Sequence, residues 1–335
     1  MRESGQLKWP AVSHSSSSPG RGYCAAVLGV IVWSWTGILI SYLLRNRPIA
    51  PMTLAFWRDS SAAAVLLVVL ALFRRDVLHV ARRDRVFMLL YGASLTVMNV
   101  TWTWSVAWNG AAVSTVLVYS SAGITALAAR FFFGERLSLV RTLAIGGGLV
   151  GCVLVAKANE LAQWNLNAAG IVAGLLSAAS FAWFSIMGKA ASHRGVDPWT
   201  ATLCTFAVAA VALLPIASLT LPVSGPMASL VSLGPRWDGW ALLLLLVVPT
   251  LGGYGLYTVS LAYLPAGTAN LIATLEPVLT TIWAYLLLGE SLDAMQLLGG
   301  ALIVGSVASL QLEGRLWRGS TAHAAQRSEP GPATT

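Results

Sequence analysis

Ten runs of about 20 mostly apolar residues fill this chain, and they leave it very few ways to fold. They lie at roughly 23–44, 52–73, 86–107, 111–133, 139–156, 167–188, 199–220, 240–263, 267–288 and 294–312. About 20 residues of helix cross the hydrocarbon core of a bilayer. The runs are too long and too evenly apolar for barrel strands, which alternate over about ten residues. Lipid offers the backbone no hydrogen bonds, so helices are left as the way to satisfy each span internally. The composition agrees. Of 335 residues 56% are hydrophobic and 10% charged, with a mean hydropathy of +0.72. Soluble domains carry about 25% charged residues, so this chain could not cover a water-facing surface. The expectation is an all-α integral membrane protein with ten transmembrane helices.

Residues 1–22 and 313–335 are polar and read as disordered tails. No short apolar core with a small-residue cleavage site precedes the first span, so no cleavable signal is expected. Connections are short. The longest, 221–239, contains Pro222, Gly225, Pro226 and Pro235, and no soluble domain fits. Cys24, Cys152 and Cys204 all fall in apolar spans. They read as small buried hydrophobes and give no disulfide framework.

The net charge of +8 is explained by its distribution. Cytoplasmic loops concentrate Lys and Arg. With the N-terminus inside and ten spans, 16 of the 21 basic residues fall on the inner side. Arg45, Arg47, Lys157 and Arg236 fall outside, and Arg58 lies within a span. Both termini are then cytoplasmic. The cluster Arg74–Arg85 faces anionic headgroups on this map, with a protein partner as the lesser alternative. No nucleic-acid role is needed to account for the charge.

GERLSLVR (134–141) and GESLDAMQ (289–296) begin alike and lie 155 residues apart. The first holds two arginines and the second none. An odd number of spans separates them, so the second copy faces outward, where positive charge is disfavoured. The same offset aligns TWSVAW (103–108) with TVSLAY (258–263), Thr125 with Thr280, and Ala129 with Ala284. Earlier spans match only with a gap. The chain therefore reads as two inverted five-helix repeats, 23–156 and 157–312. Inverted repeats let two halves exchange roles, as in secondary transporters.

These features resemble the EamA-type branch of the drug/metabolite transporter superfamily. The resemblance rests on the two Gly-Glu-x-Leu turns, on Glu276–Pro277 in span 9 and on Arg58 early in span 2. Gly-rich stretches after each turn (Gly146–Gly151, Gly299–Gly305) add to it. It covers about residues 23–312. It implies a cytoplasmic-membrane carrier moving a small organic metabolite by alternating access, often as an exporter of amino acids or related metabolites. One departure is Ser121–Ala122, where the first half of such proteins often has proline.

Glu276, near mid-membrane, is the sharpest candidate. A charge there costs about 2.5–3.5 kcal/mol on insertion scales. It could bind a substrate amine, carry a coupling proton or bond a neighbouring helix. Pro277 beside it removes a backbone donor and predicts a kink. Arg58, next to Asp59, could pair structurally, snorkel or meet a substrate carboxylate. Asn99, Trp102, Tyr119, Tyr254, Tyr257 and Asn270 form a polar-aromatic set suited to an organic solute, with Trp33 and Trp183 as further candidates for the same cavity. Interfacial belts or simple packing are the alternative for each. Glu135 and Glu290 read as helix caps, and the glycine runs as sites of close helix approach.

No G-x-x-x-x-G-K-[ST] occurs, so ATP is not expected to drive the protein directly. His14, His79, His193 and His323 are dispersed, and no metal, cofactor or enzymatic constellation is expected. A channel, or a lipid-handling or scaffold protein, is the other reading. The sequence does not give the oligomeric state.

Overall fold

The computed structural model describes residues 19–46, 50–135, 137–158, 167–219, 237–288 and 291–328. Eleven α-helices occur among them, with no strand. They are α1 Pro19–Asn46, α2 Pro51–Phe73, α3 Arg85–Tyr119, α4 Ser121–Phe133, α5 Leu139–Val155 and α6 Ala168–His193. After these come α7 Pro198–Leu219, α8 Trp237–Tyr263, α9 Ala266–Ala273, α10 Glu276–Leu288 and α11 Ala294–Ser328. Two short 3-10 turns, Arg75–Leu78 and Arg82–Asp84, join α2 to α3.

Seven helical stretches of the described residues are long and apolar enough to cross a membrane, against the ten spans expected. One of the seven, Arg82–Phe133, is 52 residues long. Gly110 breaks it with φ +80, a left-handed conformation that glycine adopts without strain. Leu139–Val155 is apolar but shorter. The tail expected after residue 312 is helical through Ser328. No proline occurs between Ala294 and Ser328, and the first one beyond is Pro330. Residues 1–18, Arg47, Arg136, the connection 220–236, Gly289–Glu290 and 329–335 lie outside the described residues.

The bundle is apolar on its outside. Phe73, Phe131, Leu139 and Val211 are each at least 74% exposed. A water-soluble protein rarely leaves so much contiguous apolar surface open. Its interior holds aromatic and small polar side chains, with Tyr91, Tyr257, Phe184 and Phe206 fully buried.

Local chemistry repeats at the 155-residue offset. Ser138 caps α5 by accepting the Arg141 N–H at 3.0 Å. Asp293 caps α11 by accepting the Gln296 N–H at 2.8 Å. The Gln296 side chain accepts the Asp293 N–H in return at 3.3 Å, a reciprocal capping box. Thr103 and Thr258 each donate to the carbonyl four residues back, at 2.7 and 2.8 Å. Gly110, where α3 bends, corresponds to Pro265, where α8 gives way to α9.

Helix packing has the same regularity. The α3–α6 contact has its counterpart in α8–α1, and α3–α7 in α8–α2. The contact of α4 with α6 is matched by those of α9 and α10 with α1. The pairs α2–α7, α4–α9 and α5–α11 join corresponding elements directly. Corresponding elements of the two regions thus have corresponding partners. The α5–α11 pair is close because of glycine. A Cβ on Gly151 would lie 2.6 Å from Ile303 and 2.7 Å from the Gly299 carbonyl.

Candidate functional site

Two helices tighten at corresponding places. The stretch containing α3's last turns and α4 tightens at Ser120, with helical φ/ψ. Its counterpart, α9 and α10, tightens at Thr274–Leu275, where the Thr274 and Leu275 N–H groups donate to the carbonyls three residues back. The expected Pro277 kink is displaced by this arrangement. Pro277 sits in the first turn of α10, where a missing N–H breaks no helix bond, and the tightened turn precedes it.

These helices meet through side chains. The Tyr119 hydroxyl donates to Glu276 Oε2. Ser121 Oγ donates to Asn270 Oδ1 at 2.9 Å. Asn270 Nδ2 donates to Ser185 Oγ at 2.9 Å, and Ser185 shares a 2.6 Å hydrogen bond with the Tyr257 hydroxyl. Four helices, α4, α6, α8 and α9, are thus joined through Asn270, which is fully buried. Glu276 itself is only part-buried.

An aromatic wall lies alongside. Trp33 packs on Tyr254 at 4.3 Å and edge-on to Phe181 at 6.0 Å. Phe181 and Phe184 extend the wall to Tyr257, at 5.7 and 6.4 Å. Aromatic rings beside a carboxylate suit an organic cation or an amine.

Of the expected candidates, the structure brings together Tyr119, Asn270 and Glu276, with Trp33, Tyr254 and Tyr257 beside them. Asn99 turns instead to α2, donating to Asp59 Oδ2 at 2.9 Å. Arg58 pairs with Asp59 at 2.8 Å. Trp102 is part-buried and stacks on no ring among the described residues. Trp183 lies apart from these residues. It is 42% exposed and meets Phe132 edge-on at 5.9 Å. The reason is helical geometry: residues two apart point to nearly opposite faces. The buried face of α6 runs through Gly174, Ser177, Phe181, Ser185 and Gly188, and Trp183 is on the other side. That spacing of three and four was the signal for Ser185 and Phe181, both missed among the candidates.

Glu135 caps a helix, but not its own. Its Oε1 accepts the Ala266 N–H at the start of α9 at 3.0 Å, and Oε2 faces Arg141 at 3.5 Å. Arg141 also reaches Thr268 at 3.3 Å, and Lys189 donates to the Leu264 carbonyl at 2.9 Å. Burial pushes the Glu135 carboxyl above its ordinary range, against the pull of the Ala266 N–H and of Arg141. Glu290, its expected counterpart, lies outside the described residues. Further links at this end are Arg194–Asp84 at 2.8 Å and Arg74–Asp197 at 3.4 Å.

No group of three His, Cys, Asp or Glu side chains that could hold a metal occurs among the described residues.

Comparison with known proteins gives a consistent result. Residues 20–157 and 168–311 each match the EamA-like transporter family. A probable amino-acid metabolite efflux pump of Escherichia coli is 28% identical over 300 residues, 88% of this chain and 95% of that protein. A probable amino-acid metabolite efflux pump of Salmonella typhimurium is 26% identical over 84% of this chain and 92% of its own length. An uncharacterized transporter of Archaeoglobus fulgidus is 28% identical over 58% of this chain. There the match spans just under two thirds (65%) of the relative. A solved crystal structure shares the fold, with a TM-score of 0.72 at 17% identity, over 89% of this chain and 99% of that one.

Proposed function

Since the chain belongs to the EamA-like transporter family, we propose that it exports amino acids or related metabolites across the cytoplasmic membrane by alternating access. The carrying observation is the hydrogen bond of Tyr119 to Glu276, where two helices tightened at corresponding places meet. Matching places of two halves, near mid-membrane, are where carriers bind substrate. Glu276, Tyr119 and Asn270 form the polar part of the proposed site, and Trp33, Tyr254 and Tyr257 the aromatic part. The efflux pumps of similar sequence support the substrate class.

In this reading the chain has ten spans in two inverted halves. Three considerations support the count. The 52-residue stretch is long enough for two spans, with Gly110 at the turn between them. Leu139–Val155 adds a short span, and the 27-residue α8 another. The packing exchange between halves and the charge inversion of the two Gly-Glu-x-Leu turns support opposite orientation. The end of the bundle bearing Arg74, Arg85, Arg141, Lys189 and Arg194 then faces the cytoplasm. Proton coupling through Glu276 belongs to the same reading.

Solute counterflow in proteoliposomes tests it, with a panel of amino acids, sugars and drug-like amines. Saturable exchange of amino acids is the expected result. Single-channel currents, or no saturable flux from folded protein, would point to the channel or non-transport reading instead.

A further inference from the structure

A second buried charge lies outside the Tyr119–Glu276 pair. On α2, Arg58 Nε donates to Asp59 Oδ1 at 2.8 Å. Asp59 Oδ2 accepts from Asn99 at 2.9 Å. Asp59 is fully buried, and both its oxygens are engaged. Arg58 is not satisfied in the same way. It is 9% exposed, and its Nη2 is buried without a hydrogen-bond partner among the described residues.

That arrangement is poor as a purely structural ion pair. A guanidinium presents five N–H groups in a planar fork and pairs best with a carboxylate through two parallel bonds. Here Asn99 holds one Asp59 oxygen, and Arg58 bonds the other through Nε. A donor edge of a buried cation is left over, and an unpaired charged donor is costly. The surroundings show what this edge is near. The Tyr254 phenol is within electrostatic reach of Arg58 and also of Glu276. The Tyr254 ring packs on Trp33. Arg58 and Glu276 thus both lie near the Tyr254 phenol.

We propose that Arg58 is a specificity residue that receives the carboxylate of the transported solute on its free guanidinium edge. The body of the solute lies on Trp33 and Tyr254, and any amine lies toward Glu276. This assignment rests on the carrier reading above and sharpens it: a carboxylate is the required group, and an amine is an addition to it. Asp59 and Asn99 act as positioning residues that fix the guanidinium plane.

The test uses full-length protein in nanodiscs and matched probes with phenylalanine, leucine and alanine side chains. Each set contains the amino acid, its amide and the corresponding deaminated acid. Binding is read by ligand-induced thermal stabilisation and by competition in counterflow. Wild type should bind the amino acid and the deaminated acid about ten- to a hundredfold more tightly than the amide. Arg58→Gln should erase that preference, and Arg58→Lys should restore part of it. Equal binding of acid and amide by wild type overturns the assignment without any variant, and so does an unchanged preference in Arg58→Gln. Saturable flux of amides and acids alike would leave the carrier reading standing while removing Arg58 from it. Absence of saturable flux with any solute would remove both.

Discussion

Tyr119 and Glu276, 157 residues apart in the chain, are hydrogen-bonded where two tightened helices meet. The phenol donates to the carboxylate, so each group satisfies the other in an interior with few alternatives. The pair also joins the two halves of the chain beside their tightened turns. A movement of one half against the other must stretch or reorganise this bond.

Removing the Tyr119 donor should therefore be felt at Glu276. Tyr119→Phe is expected to slow counterflow, and its effect should not add to that of Glu276→Gln. A double-mutant cycle on the apparent affinity should give a coupling of about 0.5–3 kcal/mol. Additive effects would mean the two side chains act independently.

Asn270 holds the Ser121, Ser185 and Tyr257 hydroxyls in one network. Asn270→Leu leaves the buried Ser121 hydroxyl without its partner, at about 1–3 kcal/mol, while Ser185 and Tyr257 keep their mutual bond. The expected outcome is a clear loss of thermal stability in detergent, larger than for Trp183→Leu on the exposed face of α6.

Gly151 lies against the Gly299 backbone. Gly151→Ala should cost about 1–3 kcal/mol, because the new methyl meets a carbonyl that cannot step aside. Gly146→Ala, which meets nothing within 4 Å, should cost far less. Thermal unfolding of the two variants side by side checks the contrast.

Glu135 gives a pH dependence with a defined sign. Burial raises its carboxyl above the ordinary value, so the folded chain holds this proton more tightly than the unfolded chain. Its stabilising contribution is complete below the unfolded value of about 4.3 and is lost as pH rises through the raised one. Glu135→Gln keeps an oxygen for the Ala266 N–H and removes the titration. The wild type should lose stability relative to Glu135→Gln as pH increases across that window. A difference independent of pH would contradict the assignment.

The helices and the repeat could be read from sequence because they rest on long patterns. Apolar runs set the class of fold, and the 155-residue register reappears in the caps Ser138 and Asp293. The tightened turns could not be read the same way. Ser120 and Thr274–Leu275 sit inside continuous apolar runs, and hydropathy is blind to a local change of turn that exposes no charge. Gly110 was visible only as a gap between runs, not as the turn within one 52-residue helical stretch. Glu276, Tyr119 and Asn270 stood out as polar groups in apolar surroundings, and they do converge. Trp183 stood out for a place in span 6 like that of Trp33 in span 1, and helical phase turns it to the exposed face of α6. Asn99 stood out as a member of the same polar-aromatic set, yet Asp59 on α2 claims it, because a buried carboxylate needs donors.

The most direct test of the central claim is amino-acid counterflow in proteoliposomes by wild type and Glu276→Gln at matched reconstitution. The account predicts saturable exchange by wild type and a fall of about tenfold or more in the variant. Exchange by Glu276→Gln at the wild-type rate and affinity would contradict a site built on the Tyr119–Glu276 crossing.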